Sequence, residues 1–459
     1  MYQVSFDNPI HVHFMGIGGI SMSGLAMILM DRGFTVTGSD SNKSSLTEEL
    51  EAKGAKIFYS QVAGNITKDI DLLVYTAAIS PDNEELLAAK SMGIECMTRA
   101  NLLGEIMDNY ASSITICGTH GKTTTTSMIS HILLAAAKDP TITVGGILKA
   151  IGGNFRLGTS DYFVAEACEY TNSFHSFFPR YNIILNIEED HLDFFKDIND
   201  IRASFRRFAS NTKEDGIIFV NESIENHEEI TDGLGRRVVT FGFSKNADCH
   251  PVNLTYDASG CGHFTAVYKD KELGKIDLSI PGEHNVSNSL SAIALTAELG
   301  IGFDDIAGGL SAFGGADRRF QKKGMLGGIT IMDDYAHHPT EISATLSAAK
   351  KVDADRVIVV FQPHTYTRTK AFLDEFAKAL SVADLVVLAD IYAAREKNTI
   401  GISSLDLKKK IDELGTECVY LPTFDEIEKF LLKNCMNRDL LITMGAGNIV
   451  EVGEHLLGI

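Results

Sequence analysis

The chain has 459 residues, 44% hydrophobic and 22% charged, with 41 basic against 61 acidic side chains and a formal net charge of −20. That length exceeds one ordinary core and predicts about three domains. The acid excess excludes a broad nucleic-acid face, whose phosphate contacts need clustered Lys and Arg, and no apolar run reaches the roughly 18 residues of a membrane-spanning helix.

The N-terminal stretch MYQVSFDNPIHVHFMGIGG carries no basic segment leading into a long apolar core, so no secretion signal is predicted. Seven cysteines are scattered without a CxxC pair, which fits reduced thiols. The expectation is a cytoplasmic protein, monomer or homodimer, with small-molecule substrates and neither nucleic acid nor membrane as partner.

In chain order, the first segment alternates strand runs with helical patterns: IHVHFMGIGG, a helix near SMSGLAMILMDRG, then FTVTGSD, DLLVYTAAIS and a helix near NEELLAAKSMG. Such alternation predicts a parallel sheet with right-handed crossovers. A second sheet begins at SITICGTH and continues through DYFVAEACE and YNIILNIEEDH; a third follows RRFQKKGMLGG, with ITIMDDYAHHP, RVIVVFQPH, DLVVLADIY and LLITMGAGNIV. The predicted class is α/β in three domains, residues 1–110, 111–322 and 323–459. In open α/β sheets ligands lie beyond the carboxyl ends of the strands, where each of these apolar runs ends in a polar cluster.

Gly118, Gly121, Lys122 and Thr123 end a strand and open a helix. Backbone N–H groups at a helix N-terminus attract phosphate, the lysine adds a point charge, and the hydroxyl can ligate Mg²⁺. The full G-x-x-x-x-G-K-[ST] pattern is not met, because Ile116 stands at its first glycine. Gly16, Gly18 and Gly19 also follow a strand, with Asp40 ending the next one and Ser21 in place of the third fingerprint glycine. This loop suits either a dinucleotide, with Asp40 on a ribose, or the diphosphate of another nucleotide conjugate. Glu166 and His191 follow two successive strands and could complete the shell of a phosphate-bound divalent ion, or simply be solvated and capping residues. Asn285 and Asn288 share one face of a helix opened by His284 and could read a purine edge. Arg318 and Arg319, then Asp333, Asp334, Tyr335, His337 and His338, flank the second predicted boundary, where arginine can close over phosphates.

Together and in this order, GIGGISMSGLA, GTHGKTT, EACEYTNSF, DHLD, PGEHNVSN, RRF and DDYAHHPTE resemble the Mur ligase family of peptidoglycan synthesis across nearly the whole chain. TRANLLGEIM, FQPHTYTRT and DIYAAREK point to its branch that adds one amino acid to UDP-N-acetylmuramate. The resemblance implies an N-terminal Rossmann-like domain for the UDP sugar, a central P-loop ATPase-type sheet, and a C-terminal Rossmann-like domain for the amino acid. The implied reaction joins L-alanine to the lactyl carboxylate of the sugar through an acyl phosphate, with ATP and Mg²⁺. The alternative is the recycling ligase that adds a whole tripeptide to the same sugar.

On this resemblance Lys122, Glu166, His191, His337 and Arg368 form the catalytic set. Gly118, Thr119, His120, Gly121, Lys122, Thr123 and Thr124 surround the ATP phosphates, and Thr123, Glu166 and His191 hold Mg²⁺. Asn285, Asn288, one of Arg318 or Arg319, and Asp334 meet the rest of the nucleotide. Gly16, Ile17, Gly18, Gly19, Ser39, Asp40 and Thr76 hold the UDP sugar. Tyr335, His337 and Arg368 face the amino acid or the acyl phosphate, with His337 a positioning or proton-accepting group. Thr365 stands where many members carry arginine, and SFRRFASN after His191 offers no lysine for carbamylation, so none is expected.

Overall fold

The computed structural model describes residues 3–76, 78–192, 194–394 and 396–459. Ala77 of DLLVYTAAIS, Asp193 of DHLD and Arg395 of DIYAAREK lie outside the described residues. Three sheets follow one another along the chain.

The first sheet runs Lys56–Phe58, Thr35–Ser39, His11–Met15, Leu72–Tyr75, Glu95–Thr98 in space, all parallel. Its middle strand, HVHFM, is buried on both faces, which is why its residues are apolar apart from the histidines. The chain leaves that strand for one side of the sheet and later returns on the other. This switch point opens a crevice at its carboxyl end, where residues 16–19 lie before helix Ile20–Asp31.

Among the described residues the second sheet has ten strands. At its centre Ser112–Cys117 pairs in parallel with Tyr162–Glu166 on one side and Tyr181–Ile184 on the other. The segments after these three strands therefore emerge side by side, which brings residues 118–122, 166–170 and 185–191 together. Helix Lys122–Ala135 packs on the sheet beside helices Glu283–Glu298 and Phe303–Ala312. The third sheet opens at Gln321 with an antiparallel strand and continues in parallel through Ile329–Asp334, Asp439–Met444, Arg356–Phe361, Leu385–Leu388 and Cys418–Tyr420. Among the described residues no helix is long and apolar enough to cross a membrane.

The first and second sheets are joined by close backbone approach. A Cβ at Gly24, in helix Ile20–Asp31, would lie 2.8 Å from the Phe155 ring, and one at Gly104, in helix Arg99–Asp108, would lie 2.0 Å from the Ser176 carbonyl oxygen. Ser176 also donates its hydroxyl to Asn101 at 2.7 Å. Because the obstacle at Gly104 is backbone, Gly104→Ala is expected to cost about 1–3 kcal/mol, the usual range for overpacking. Urea unfolding checks this, with Gly64→Ala, which meets nothing within 4 Å, as the near-neutral comparison.

Candidate active site

The turn from Cys117 into helix Lys122–Ala135 depends on two glycines in left-handed backbone, Gly118 at φ 142° and Gly121 at φ 84°. Side chains there would also collide: a Cβ on Gly118 would sit 3.0 Å from Leu185, and one on Gly121 2.7 Å from Asn288 Oδ1. Asn186 holds the loop from the neighbouring strand end, accepting from His120 N at 2.7 Å and donating to the His120 carbonyl at 3.0 Å. Thr119 accepts from Glu188 N at 2.9 Å.

Lys122 folds back over this loop. Its Nζ donates to the carbonyls of Gly118 at 2.5 Å and Thr119 at 3.1 Å, and to Glu169 Oε2 at 2.9 Å. Burial works against the ammonium, but Glu169 outweighs it and carries Lys122 above the ordinary lysine range; the same pairing holds the buried Glu169 low. Glu166 lies on the other side of Thr123. It accepts from Thr123 Oγ1 at 3.1 Å and Gly145 N at 2.5 Å, and burial raises its pKa.

His191, at φ 53°, places Nε2 3.6 Å from Glu169 Oε1 and 3.7 Å from Asp190 Oδ2, with its ring 4.5 Å from that of Tyr170. The structure thus sets two separate pairs beside Lys122, Thr123 with Glu166 and His191 with Glu169. Their donors are mainly oxygen, which suits a hard divalent ion at either pair.

One cavity adjoins the loop and a second adjoins the segment around His191. The larger, about 690 Å³, is lined by His120, Thr124, Asn285, Asn288, Arg319 and Asp334 among others. It separates the two arginines. Arg318, at φ 60°, turns into the third domain, with Nε 3.0 Å from Asp333 and Nη2 donating to the Gly445 carbonyl at 2.7 Å, while Arg319 faces the cavity. Asp334 accepts from Phe320 N at 2.8 Å and Ala336 N at 2.7 Å, fixing the entry into the third domain, and burial raises its pKa to about 6.

The smaller cavity, about 420 Å³, lies between Tyr170, Asp190 and His191 of the second domain and His364, Thr365 and Arg368 of the third. Arg368 bonds to Asp190 Oδ1 through Nη2 at 2.9 Å and Nε at 3.2 Å. Thr365 sits at φ 64° at the start of helix Tyr366–Ala371. His337 lies beside this cavity, its ring 5.8 Å from His364 and 5.5 Å from Tyr335. Burial depresses His337 to about 4, so it is a neutral, weakly basic imidazole, better suited to positioning than to taking up a proton.

The first-domain loop is built differently from the sequence expectation. Gly16 and Ile17 donate to the Ser39 carbonyl at 2.8 and 3.0 Å, and Gly18 donates to Asp40 Oδ2 at 2.8 Å. Asp40 is thereby occupied in shaping the loop. The Ser39 hydroxyl points inward to Glu85 at 2.6 Å and the Ile17 side chain is fully buried, so neither side chain faces the crevice. Gly19 caps the following helix, and Thr76 lies across from Gly16.

Three family profiles match in succession: the Mur ligase family catalytic domain over residues 11–111, the Mur ligase middle domain over 116–296, and the Mur ligase glutamate ligase domain over 318–447. The chain belongs to the Mur ligase family. Among members, it is 62% identical to a UDP-N-acetylmuramate–L-alanine ligase of Agathobacter rectalis, with all of both chains covered. It is 58% identical to one of Lachnospira eligens, again over both full chains. A solved UDP-N-acetylmuramate-alanine ligase of Thermotoga maritima superposes with a TM-score of 0.77 at 29% identity, covering 98% of each chain. A murein peptide ligase of Psychrobacter arcticus superposes with 0.67 at 27% identity, again with 98% of each chain covered.

Within this Mur ligase site the sequence reading missed Glu169, Asn186, Asp190 and Glu341. Each lies inside a quoted motif, but their roles depend on partners far along the chain. His120 Nδ1 is 3.1 Å from Glu341, and its Nε2 is 3.6 Å from Glu188. Burial opposes its charge, yet the two carboxylates raise it to about 9. His120, Glu188 and His338 each place one ligand atom within 4.8 Å of the others. A protonated His120 between two carboxylates accounts for that grouping without a metal.

Two predictions follow from these pairings. Lys122→Ala is expected to cut turnover by about 10²–10³ and also to lower the melting temperature, because Glu169 is left buried without its cation. Adding Glu169→Gln restores the melting temperature without restoring turnover, which parallel thermal scans and phosphate-release assays would test. His120 binds its proton more tightly folded than unfolded. Its contribution is therefore complete below its ordinary value of 6.5 and lost as pH rises through about 9. The melting-temperature gap between wild type and His120→Asn should close over that window.

Proposed function

We propose that this chain joins L-alanine to the lactyl carboxylate of UDP-N-acetylmuramate at the expense of ATP, releasing ADP and phosphate. The observation that carries this reading is the 62% identity, over full length, to a UDP-N-acetylmuramate–L-alanine ligase. The geometry agrees with it: a phosphate loop borders a cavity of about 690 Å³, and a second cavity, reached through His191, bears an arginine. On this reading residues 1–110 bind the UDP sugar, 111–322 bind ATP, and 323–459 supply the amino-acid site.

The lactyl carboxylate attacks the terminal phosphorus of ATP and ADP leaves. The amino group then attacks the acyl carbon, and the tetrahedral intermediate collapses with loss of phosphate and of a proton to solvent. Lys122 neutralises charge that develops on the transferred phosphoryl oxygens. To do so it must exchange Glu169 and its two loop carbonyls for phosphate, so that one anion replaces another beside the ammonium. Mg²⁺, held by Thr123, Glu166 and His191 with Glu169 alongside, would supply further charge neutralisation at the phosphates. Asn285, Asn288 and Arg319 contact the nucleotide in the larger cavity. Arg368, released from Asp190, meets the carboxylate of the amino acid, and His337 orients the acceptor side. Closure of the third domain over the second excludes water, which would otherwise hydrolyse the acyl phosphate.

The tripeptide-adding alternative uses the same sugar and the same chemistry, and the likeness to the Psychrobacter arcticus ligase keeps it testable. Phosphate release from ATP and Mg²⁺ with UDP-N-acetylmuramate is expected with L-alanine, giving a product heavier by one alanine residue. Release with L-Ala-γ-D-Glu-meso-diaminopimelate in preference to L-alanine would overturn the assignment, as would no release with either.

A further inference from the structure

Glu341 lies in the first turn of helix Pro339–Ala349, behind a proline at the first helical position and the His338 cap. Its side chain is only 12% exposed, and its two oxygens serve different places. Oε1 is 3.1 Å from His120 Nδ1 on the phosphate loop and 3.8 Å from Arg319 Nη1 at the larger cavity. Oε2 accepts from the His337 backbone N–H at 3.0 Å and lies 3.3 Å from His337 Nδ1, beside the smaller cavity.

Other bonds cross the same seam. Thr340 Oγ1 donates to Glu188 at 2.7 Å, His338 Nε2 faces the Glu189 carbonyl at 3.0 Å, and Arg368 holds Asp190. Glu341 alone, among the described residues of this seam, touches the phosphate loop, the cavity arginine and the histidine of the acceptor side at once. A rigid carboxylate shared in this way cannot satisfy one side without fixing the other.

We propose that Glu341 is a positioning residue that couples the phosphate loop to the amino-acid site, so that His120 and His337 reach their working places together. The proposal rests on the ligase reading above. It makes His120, which lines the larger cavity, a determinant of how well the amino acid binds.

The test is a double-mutant cycle on the full chain, with kcat and the KM values for ATP, L-alanine and UDP-N-acetylmuramate measured for wild type, Glu341→Gln, His120→Asn and the pair. The expected result is that each single variant raises the KM for L-alanine by about fivefold or more, within the range of pairwise coupling. The pair should be no worse than the more damaged single, with the KM for UDP-N-acetylmuramate held within about twofold. A purely structural role would move all three KM values together. His120→Asn reads the link from its other end, so the test stands even where Glu341→Gln folds poorly. Effects that multiply in the pair, or an unchanged KM for L-alanine in His120→Asn, would overturn the coupling and leave the ligase reading intact. A wild type that forms no product would sink both.

Discussion

A half-buried ammonium at the N-terminus of a helix is the constraint around which this site is organised. Lys122 opens helix Lys122–Ala135, where the backbone already presents unpaired N–H groups and a partial positive charge. Both draw electron-rich partners, and those of the ammonium are Glu169 and two loop carbonyls. That demand explains why three strand ends must converge. The central strand supplies the loop, one neighbour supplies Glu166 and Glu169, and the other supplies Asn186 and the Glu188–His191 run.

Much of this was legible in the sequence because it is local. Apolar runs ending in polar clusters locate the carboxyl ends of parallel strands, and the glycines at 118 and 121 announce a turn that other residues could not make. Thr123 does reach Glu166, and Lys122 reaches the acid that His191 faces. What was not legible is partner choice at long range. His120 and Glu341 are separated by 221 residues, and no local pattern records which carboxylate faces which cation. Glu169 was passed over although it stands three residues after Glu166, since spacing alone does not tell which acid faces the lysine.

The adjacent arginines show the same limit at the scale of one residue. Arg318 and Arg319 read as equivalents, and the left-handed backbone at Arg318 sends its guanidinium to Asp333 while its neighbour turns to the cavity. Ser39 is a related case: an end-of-strand serine reads as a ligand contact, whereas Glu85 draws its hydroxyl into the interior and leaves the carbonyl to hold the glycine loop.

The two seams between domains differ in kind. The first domain meets the second largely through glycines against an aromatic ring and a backbone carbonyl, a fit of shape with the Lys213–Asp108 pair at 2.8 Å beside it. The third meets the second largely through charge, with Glu188, Asp190 and Glu341 of opposite faces each engaging a cation or a hydroxyl. Enclosed pairs are screened little by dissolved ions, and Arg368–Asp190 and His120–Glu341 expose between 6% and 13% of their side chains. Dissolved salt therefore has little purchase on this seam: the amino-acid half stays fastened to its neighbour at ionic strengths that would release pairs lying in the open.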